Sequence, residues 1–425
     1  MADIKEQLVW EFADRLRNVI PFYGFSSSAI ELIFIKYMSD YSDIDNPKDF
    51  KTIIDYKNMF INKKFDYRLT CDVFEIIERK FNIESNLFKI VLDDLEKIFD
   101  DKAEYVFDVL NYFELPKTNE DMISLIEIIL SYSENKDVSR TESSTTNSSL
   151  IKLVNKILDV KENEIYMDSF SGFFKSSLTI NAKHYIGYEI NPNVAAISNM
   201  IMILTGKKSF KISNQDFYLS ETNSIADKIF SDGPIVGMLS MDAYHLLGGE
   251  SKRLEYYNIK KTVESLKQGG RGIVTCASGT LFRYDFRKLR ELLTFRNLKA
   301  IIALPTLWRG LSVPTNLIIL DNERQDNKIC IIDASSNECI IRNDKRNVTL
   351  TDETIEKIID SLNGKIIDGF STLVTPEDIL LANNDQSWVP ASYIKKKLNI
   401  NFRPSIEVEK DLELAYQELN KYLNK

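Results

Sequence analysis

The sequence predicts an α/β fold, in which a mostly parallel sheet follows a helical domain and precedes a short helical tail. Amphipathic helical stretches fill residues 1–135, and short apolar runs then alternate with helical segments. Apolar residues recur at helical spacing near the end of the chain, and a polar stretch separates the first two regions. The predicted regions are a helical domain (1–135), a linker (136–149), an α/β domain (150–385) and a tail (386–425).

The first region has the spacing of amphipathic helices and no clear strand. Leu8, Phe12, Leu16 and Ile20 recur every four positions, which places them on one helix face. Ser26 then offers an N-cap hydroxyl before a second, more apolar helix. We therefore expect an all-helical N-terminal domain.

Short apolar runs mark the strands of the α/β domain. Because parallel strands need long crossover connections, runs separated by helical segments predict a mostly parallel sheet with helices on both faces. The last two runs lie close together, which predicts an antiparallel hairpin at one edge. Sheets of this kind bind ligands at the carboxyl ends of their strands. The runs are 165–167, 185–188, 228–230, 272–275, 300–303, 316–320 and 329–332.

The composition is that of a globular protein with ample material for its cores. Hydrophobic residues make up 44% of the 425 residues, which suggests two or three domains. No apolar run reaches the roughly 18–20 residues of a membrane-spanning helix. The charged N-terminus lacks the apolar core of a signal peptide, so we expect a cytoplasmic protein.

Metal-binding patterns are missing from the sequence. The two histidines and four cysteines include no C-x-x-C pair, so we expect no metal site and mostly buried free thiols. These residues are His184, His245, Cys71, Cys276, Cys330 and Cys339.

The charge balance argues against a stand-alone DNA-binding protein, because the net charge is −9. DNA can still bind through a local basic patch or a partner subunit. One patch lies between residues 283 and 299, and a solvated amphipathic helix would show the same pattern. The DNA-binding candidates are Arg283, Arg287, Lys288 and Arg290.

An acidic residue after the second predicted strand indicates a nucleotide-type cofactor. Glu189 follows the run 185–188, about 20 residues after Asp168. An acid there binds ribose hydroxyls in nucleotide-binding sheets. The alternative is that Glu189 is only the acid at the start of the next helix, beside Asn191.

The turn after the first predicted strand fits such a cofactor only in part. Asp168 and Gly172 suit a tight turn, but Phe173 and Phe174 stand where small residues would let a ligand approach the backbone. Both rings add bulk where the cofactor's amino-acid end would lie. Unless they turn into the core, they should narrow or fill the pocket.

The order of these motifs resembles the adenine-N6 DNA methylases of the type I modification-subunit family, over nearly the whole chain. Asp168 and Gly172 match the family's first motif, 187–192 matches its Gly-Tyr/Ile-Glu-Ile-Asn-Pro, and Asp216 stands where the family places an adenine-recognising acid. The resemblance implies a class I methyltransferase (Rossmann-like) sheet. It also implies S-adenosylmethionine as cofactor, bound by Asp168, Gly172, Glu189 and Asp216.

The family's catalytic tetrapeptide, Asn/Asp-Pro-Pro-aromatic, is altered in this chain. It reads Asp232-Gly233-Pro234-Ile235, so a rigid proline and the ring that stacks on the extruded adenine are both lost. Such stacking is worth roughly 1–3 kcal/mol per base. Upstream, Thr146 or its neighbour Thr145 takes the place of the family's threonine.

Three functions remain open at this point. The departures favour a degenerate DNA methyltransferase-like subunit that binds DNA or partner subunits without methyl transfer. It would have no cofactor, or S-adenosylmethionine if the pocket is open. The alternatives are an active adenine-N6 methylase and a structural protein that never touches DNA. Specificity and other defence-system subunits are the implied partners.

The tail carries a short heptad seam. It covers little more than two heptads, so pairing with another subunit and packing back on its own domain are both open. The seam residues are Val408, Leu412, Ala415, Leu419 and Tyr422.

Overall fold

The computed structural model divides into two units, Met1–Ile394 and Lys395–Lys425. Among its described residues, no helix is long and apolar enough to cross a membrane. In the second unit, Leu412 lies in a helical segment (409–417) and is 64% exposed. Three predicted seam residues (Val408, Leu419, Tyr422) lie outside the described residues. Those are 2–16, 19–20, 25–43, 46–100, 102–135, 146–234, 236–307, 314–324, 326–342, 348–382, 387–394 and 409–417.

Helices fill the described part of the first 135 residues, which contains no strand, as predicted. The rings of Phe34, Phe74 and Phe88 pack together at its centre, with centroids 5.4–5.9 Å apart. The linker residues 136–145 lie outside the described part. The helices are α1 (Ala2–Leu16), α2 (Phe25–Ser39), α3 (Asp49–Asn62), α4 (Tyr67–Phe81), α5 (Leu87–Asp100), α6 (Ala103–Tyr112) and α7 (Asn119–Asn135).

Among the described residues that follow, seven further α-helices accompany the sheet. The first begins at Ser148, where the Asn147 side chain accepts hydrogen bonds from the amides of Ser149 (3.0 Å) and Leu150 (3.4 Å). The helices are α8 (Ser148–Leu158), α9 (Pro192–Leu204), α10 (Met241–Leu246), α11 (Leu254–Ser265), α12 (Arg287–Arg296), α13 (Asp352–Leu362) and α14 (Pro376–Ala382).

The described strands form one large sheet and one two-stranded ladder. Their side chains are largely buried on both faces, as expected where helices cover a sheet on both sides. The strands are β1 (Ile165–Asp168), β2 (His184–Tyr188), β3 (Phe210–Ser213), β4 (Ala226–Ser231), β5 (Leu266–Ala277), β6 (Leu298–Ala303), β7 (Thr315–Asp321), β8 (Ile329–Asp333), β9 (Ile340–Arg342), β10 (Val348–Leu350) and β11 (Ser371–Val374).

The large sheet has the order β3-β2-β1-β4-β5-β7-β6-β8-β11. The first five of these strands run parallel, and β7 runs antiparallel between β5 and β6. β8 is parallel to β6, and β11 is antiparallel to β8. The mostly parallel α/β sheet is therefore confirmed.

The predicted hairpin between runs 316–320 and 329–332 is wrong, although all seven predicted runs form strands. β6 lies between β7 and β8, and β8 pairs with β6 in parallel. Proximity along the chain suggested the hairpin, but β7 fills the gap between β5 and β6 instead. Four strands were not predicted (β3, β9, β10 and β11), because polar residues interrupt their three- or four-residue sequences.

Residues 387–394, which the sequence assigned to the tail, pack on the α/β part of the chain. Trp388 is 1% exposed, and its indole N–H donates to Oγ1 of Thr294 at 2.9 Å. Its backbone N–H donates to the carbonyl of Leu281 at 2.8 Å. These contacts move the start of the tail from residue 386 to beyond Ile394.

Candidate functional site

Three predicted acidic residues meet at one edge of the sheet. Asp168 ends β1, Glu189 follows β2 and Asp232 follows β4. Because these strands are parallel neighbours, their carboxyl ends lie side by side. Burial is the main cause of the raised pKa of Asp168, and the nearby charges of Asp232 and Glu189 raise it further.

Asp168 is buried, and its carboxylate is bound within the protein. Oδ2 accepts a hydrogen bond from Oγ of Ser176 at 2.5 Å, and Oδ1 accepts one from the amide of Phe170 at 3.2 Å. Burial raises the pKa of Asp168 to about 7, against the lowering effect of these two hydrogen bonds. Asp168 therefore holds the turn that follows β1.

Phe173 and Phe174 turn into the core, which is the arrangement in which we expect them to leave the pocket open. Both rings are buried in the core that continues into the N-terminal helices. Phe174 stacks on Tyr166, with ring centroids 6.1 Å apart. The positive φ angles of Gly172 (50°) and Phe174 (55°) reverse the chain at this turn and direct the rings inward.

A cavity of about 360 Å³ lies beside this turn, within the size range of small-molecule sites. Glu189 and Asp216, both predicted cofactor ligands, line it. Gly172 lies outside the lining. The other lining residues are Ser169, Phe170, Tyr188, Ile190, Gln215, Phe217, Tyr218, Pro234, Met238, Leu239, Ser240, Ala243 and Leu254.

Backbone amides hold the two acids of the cavity in place. The Glu189 carboxylate accepts from the amides of Gly172 (3.1 Å) and Asn191 (2.7 Å). Asp216 accepts from the amide of Tyr218 at 2.9 Å. Burial raises the pKa of Glu189, and the amide hydrogen bonds oppose that rise. Each carboxylate oxygen has two acceptor positions, so Glu189 can still receive hydroxyl groups.

Asp232, the acid of the altered tetrapeptide, lies between two threonine hydroxyls. Oδ2 accepts from Thr146 and Oδ1 accepts from Thr275, each at 2.6 Å. The structure therefore brings the upstream threonine and the tetrapeptide together. Thr145 and Ile235 lie outside the described residues.

Gly233 is packed against an aromatic ring. A Cβ atom on Gly233 would lie 2.5 Å from Cε2 of Phe170. The Phe170 ring also contacts Phe217 and Tyr218, with centroids 5.3 and 5.4 Å apart. Phe170 therefore occupies the space that a proline ring at position 233 would need.

Two polar residues of α11, which the sequence did not mark, hold the walls of the cavity. Asn258 donates to the carbonyl of Pro234 (3.3 Å) and accepts from the Tyr218 hydroxyl (2.6 Å). Lys261 donates to the carbonyls of Tyr218 (3.0 Å) and Ser220 (2.5 Å). The available signal was their three-residue spacing, which places both on one face of a helix.

The basic patch is smaller than predicted. Arg290 is 1% exposed and donates to the carbonyls of Thr280 and Arg283, so we remove it from the DNA-binding candidates. Arg283 is half-buried, 3.7 Å from the buried Glu255 carboxylate. Arg287 is half-buried and Lys288 is exposed, so these two remain available to a phosphate backbone.

No group of three or more potential metal ligands occurs among the residues that the structure describes. All four cysteines are free. Three are buried, and Cys71 is partly exposed.

Replacing Asp232 by Asn should raise thermal stability at pH 8 and change it little at pH 4. Burial raises the pKa of Asp232 to about 6, whereas an unfolded chain gives about 3.9. The folded state therefore binds the Asp232 carboxyl proton more tightly than the unfolded chain does. The stability that this proton contributes is lost as pH rises through about 6. Asn cannot ionise, so we expect a gain of about 1–2 kcal/mol at pH 8.

Thermal unfolding at both pH values measures this effect. Asp242→Asn, at an exposed position on α10, is the matched control and should change stability equally at both pH values. An Asp232→Asn effect of the same size at pH 4 and pH 8 would contradict the expectation.

A methyltransferase family model and several solved methyltransferase structures resemble this chain. A model of the N-6 DNA methylase family matches residues 117–399. The type I restriction-modification methyltransferase subunit from Streptococcus thermophilus has a TM-score of 0.75 at 18% identity, covering 93% of this chain and 100% of that one. A modification subunit of a putative type I restriction enzyme from Vibrio vulnificus has a TM-score of 0.60 at 13% identity, and the match covers 89% of this chain and 93% of that one.

A third solved structure extends the likeness. A putative class I S-adenosylmethionine-dependent methyltransferase from Listeria monocytogenes has a TM-score of 0.50 at 16% identity, covering 79% of this chain and 98% of that one. At these identities the likeness concerns the fold, which is that of the class I methyltransferases.

Proposed function

Since this chain belongs to the N-6 DNA methylase family, we propose that it is a degenerate modification subunit of a type I restriction–modification or related defence system. It binds DNA, partner subunits or both in the cytoplasm, and it does not transfer methyl groups. The observation that carries this proposal is the pairing of Gly233 with the Phe170 ring, beside an Asp232 held by two threonines.

Methyl transfer to adenine requires an extruded base whose amine meets fixed acceptors. Gly233 cannot hold its carbonyl as rigidly as a proline. The Phe170 ring is packed into the space beside it, so restoring a side chain at position 233 needs a second change. Both departures weaken the preorganisation on which catalysis depends.

The open cavity fits at least part of S-adenosylmethionine. Glu189 and Asp216 both line this cavity. The sequence resemblance gives Asp216 the role of the family's adenine-recognising acid, and the Glu189 carboxylate can receive ribose hydroxyls. Ser169 also lines the cavity, and its buried hydroxyl has no hydrogen-bond partner among the described residues. When bound, S-adenosylmethionine would supply an activated methyl group. Without a fixed adenine opposite it, the bound cofactor has no acceptor.

Methyl incorporation into adenine-containing duplex DNA tests the proposal, with and without a specificity subunit. We expect no incorporation above that of the Asp232→Ala variant. Incorporation by the unaltered chain that Asp232→Ala abolishes would establish the alternative, an active adenine-N6 methyltransferase. Circular dichroism of both proteins shows whether they are folded, so that a lack of methyl incorporation is not mistaken for unfolding.

DNA binding distinguishes this function from a purely structural role. Affinity for duplex DNA should fall as salt rises, because phosphate contacts release counterions. The double variant Arg287→Glu/Lys288→Glu should weaken binding. The matched control, Lys51→Glu/Lys57→Glu, makes the same charge change at exposed positions on α3 and should not. Binding that is absent at low salt would favour the structural role.

A further inference from the structure

Four lysines lie where β2 and β3 begin, at the end of these strands that faces away from the cavity. The β2–β3 register pairs Tyr185 with Phe210, and Lys183 and Lys208 each lie two residues before that pair. They therefore stand opposite each other at the start of neighbouring strands, which are about 4.8 Å apart in a sheet. We call Lys183, Lys207, Lys208 and Lys211 the lysine cluster.

Two members of the lysine cluster are held beside β2, and the other two are exposed. The ammonium group of Lys207 donates to the carbonyl of Ile180 (2.6 Å) and to the hydroxyl of Tyr185 (3.1 Å). Burial lowers the pKa of Lys207 to about 8, which leaves it largely charged at pH 7. Burial also lowers the pKa of His184, and the charge of Lys211 lowers it further, so Lys211 lies near this strand.

The positive charge of the lysine cluster is not neutralised within the described part of the chain, where none of its members forms an ion pair with a carboxylate. Two acids of the loop before β1 have other partners. Glu162 accepts a hydrogen bond from Asn181 (2.7 Å), and Glu164 lies 3.7 Å from Lys228. Like charges repel, so four lysines together in a chain of net charge −9 are suited to an anionic partner.

Protection of a sheet edge would explain one of these lysines. β3 forms an edge of the large sheet, and lysines on edge strands discourage pairing with other chains. Lys211 lies on β3 and would serve that purpose. The other three members lie outside β2 and β3, so edge protection does not account for their concentration here.

The surroundings of the lysine cluster favour a phosphate backbone over an acidic protein. Protein interfaces usually have a core of aromatic or aliphatic side chains. Residues 181–188 and 205–213 are all described, and no large hydrophobic side chain is exposed among them. The cluster extends over roughly 10 Å at about 3.3 Å per residue. Duplex DNA carries one charge per roughly 1.7 Å of its axis, so several phosphates lie within that reach.

We propose that the lysine cluster binds the phosphate backbone of duplex DNA, as a second DNA-contacting surface of this chain. It is separate from the surface of Arg287 and Lys288. The helix α12 begins after the carboxyl end of β5, four strands away from β3, whereas the cluster lies at the amino ends of β2 and β3. Phosphate contacts carry no base information, so this binding is independent of DNA sequence and of methyl transfer.

Fluorescence anisotropy of a labelled duplex of about 20 base pairs, with the full chain and salt from about 50 to 200 mM, tests this. The variant Lys208→Gln/Lys211→Gln should lower affinity at least about tenfold at low salt. It should also make the slope of log affinity against log salt shallower by about 1.8, since each lost phosphate contact removes about 0.9. The matched control, Lys51→Gln/Lys57→Gln on α3, should leave both quantities unchanged.

The same lysine changes in the Arg287→Glu/Lys288→Glu background should weaken binding by a similar factor, because distant sites act independently. Three results would overturn the proposal. The first is an unchanged affinity and salt slope in the lysine variant. The second is a lysine effect that disappears in the Arg287→Glu/Lys288→Glu background, which would leave a single surface. The third is competition by polyglutamate as strong as that by unlabelled duplex of equal charge, which would assign the cluster to an acidic protein.

Discussion

Replacing Trp388 by Ala should lower the free energy of unfolding by about 3–5 kcal/mol, the usual range for a buried tryptophan. The side chain is 1% exposed, and its indole N–H donates to Thr294 at 2.9 Å. Truncation would leave a cavity between 387–394 and the sheet domain, and would remove the donor from the Thr294 hydroxyl. Urea denaturation followed by circular dichroism measures the change.

Two further variants show how much of the lost free energy of unfolding comes from the Trp388 ring and how much from its hydrogen bond. Trp388→Phe keeps most of the apolar volume and loses the hydrogen bond, so it should cost about 1–2 kcal/mol. Tyr284→Ala removes an aromatic side chain that is 79% exposed and should cost less than about 0.5 kcal/mol. If Trp388→Ala were no more costly than Tyr284→Ala, residues 387–394 would not belong to the folded domain.

Replacing Gly233 by Ala should lower the free energy of unfolding by about 1–3 kcal/mol through overpacking. The added Cβ would lie 2.5 Å from Cε2 of Phe170, and that ring is itself packed against Phe217 and Tyr218. Gly233→Pro, which restores the family residue, should be at least as destabilising. Chemical denaturation of each variant gives the values.

The double variant Phe170→Ala/Gly233→Ala isolates the contact. Because the first change removes the ring that the new Cβ meets, the two costs should not add, and we expect a coupling of about 1 kcal/mol or more. Simple additivity would show that the ring moves aside without strain. In that case the loss of proline at position 233 would need another explanation.

Much of the sheet was predictable because several of its strands contain uninterrupted buried apolar runs. Residues 317–320 of β7, for example, are apolar without interruption and flanked by polar positions. The place of β7 was not predictable from such a run. Its neighbours are set by pairing across the sheet, and its insertion between β5 and β6 depends on contacts far apart in sequence.

In the site too, some residues could be predicted from the local sequence, and others depend on backbone conformation or on contacts between distant residues. Asp168 and Glu189 were predicted because each follows an apolar run, and Asp232 because its tetrapeptide resembles that of the family. The direction of the Phe174 ring was not, because it depends on a positive φ angle that a phenylalanine rarely adopts. Asn258 was missed because its partner Pro234 lies on a separate loop, 24 residues earlier.

The central place of β7 also orders events during protein synthesis. β6 leaves the ribosome before β7, yet it has no neighbour on the β5 side of the sheet until β7 has been made. A nascent chain that ends before residue 315 therefore carries unpaired edges on both β5 and β6. Such edges invite pairing with other chains. Completion of this half of the sheet, and burial of Trp388 beside it, must await the last quarter of translation.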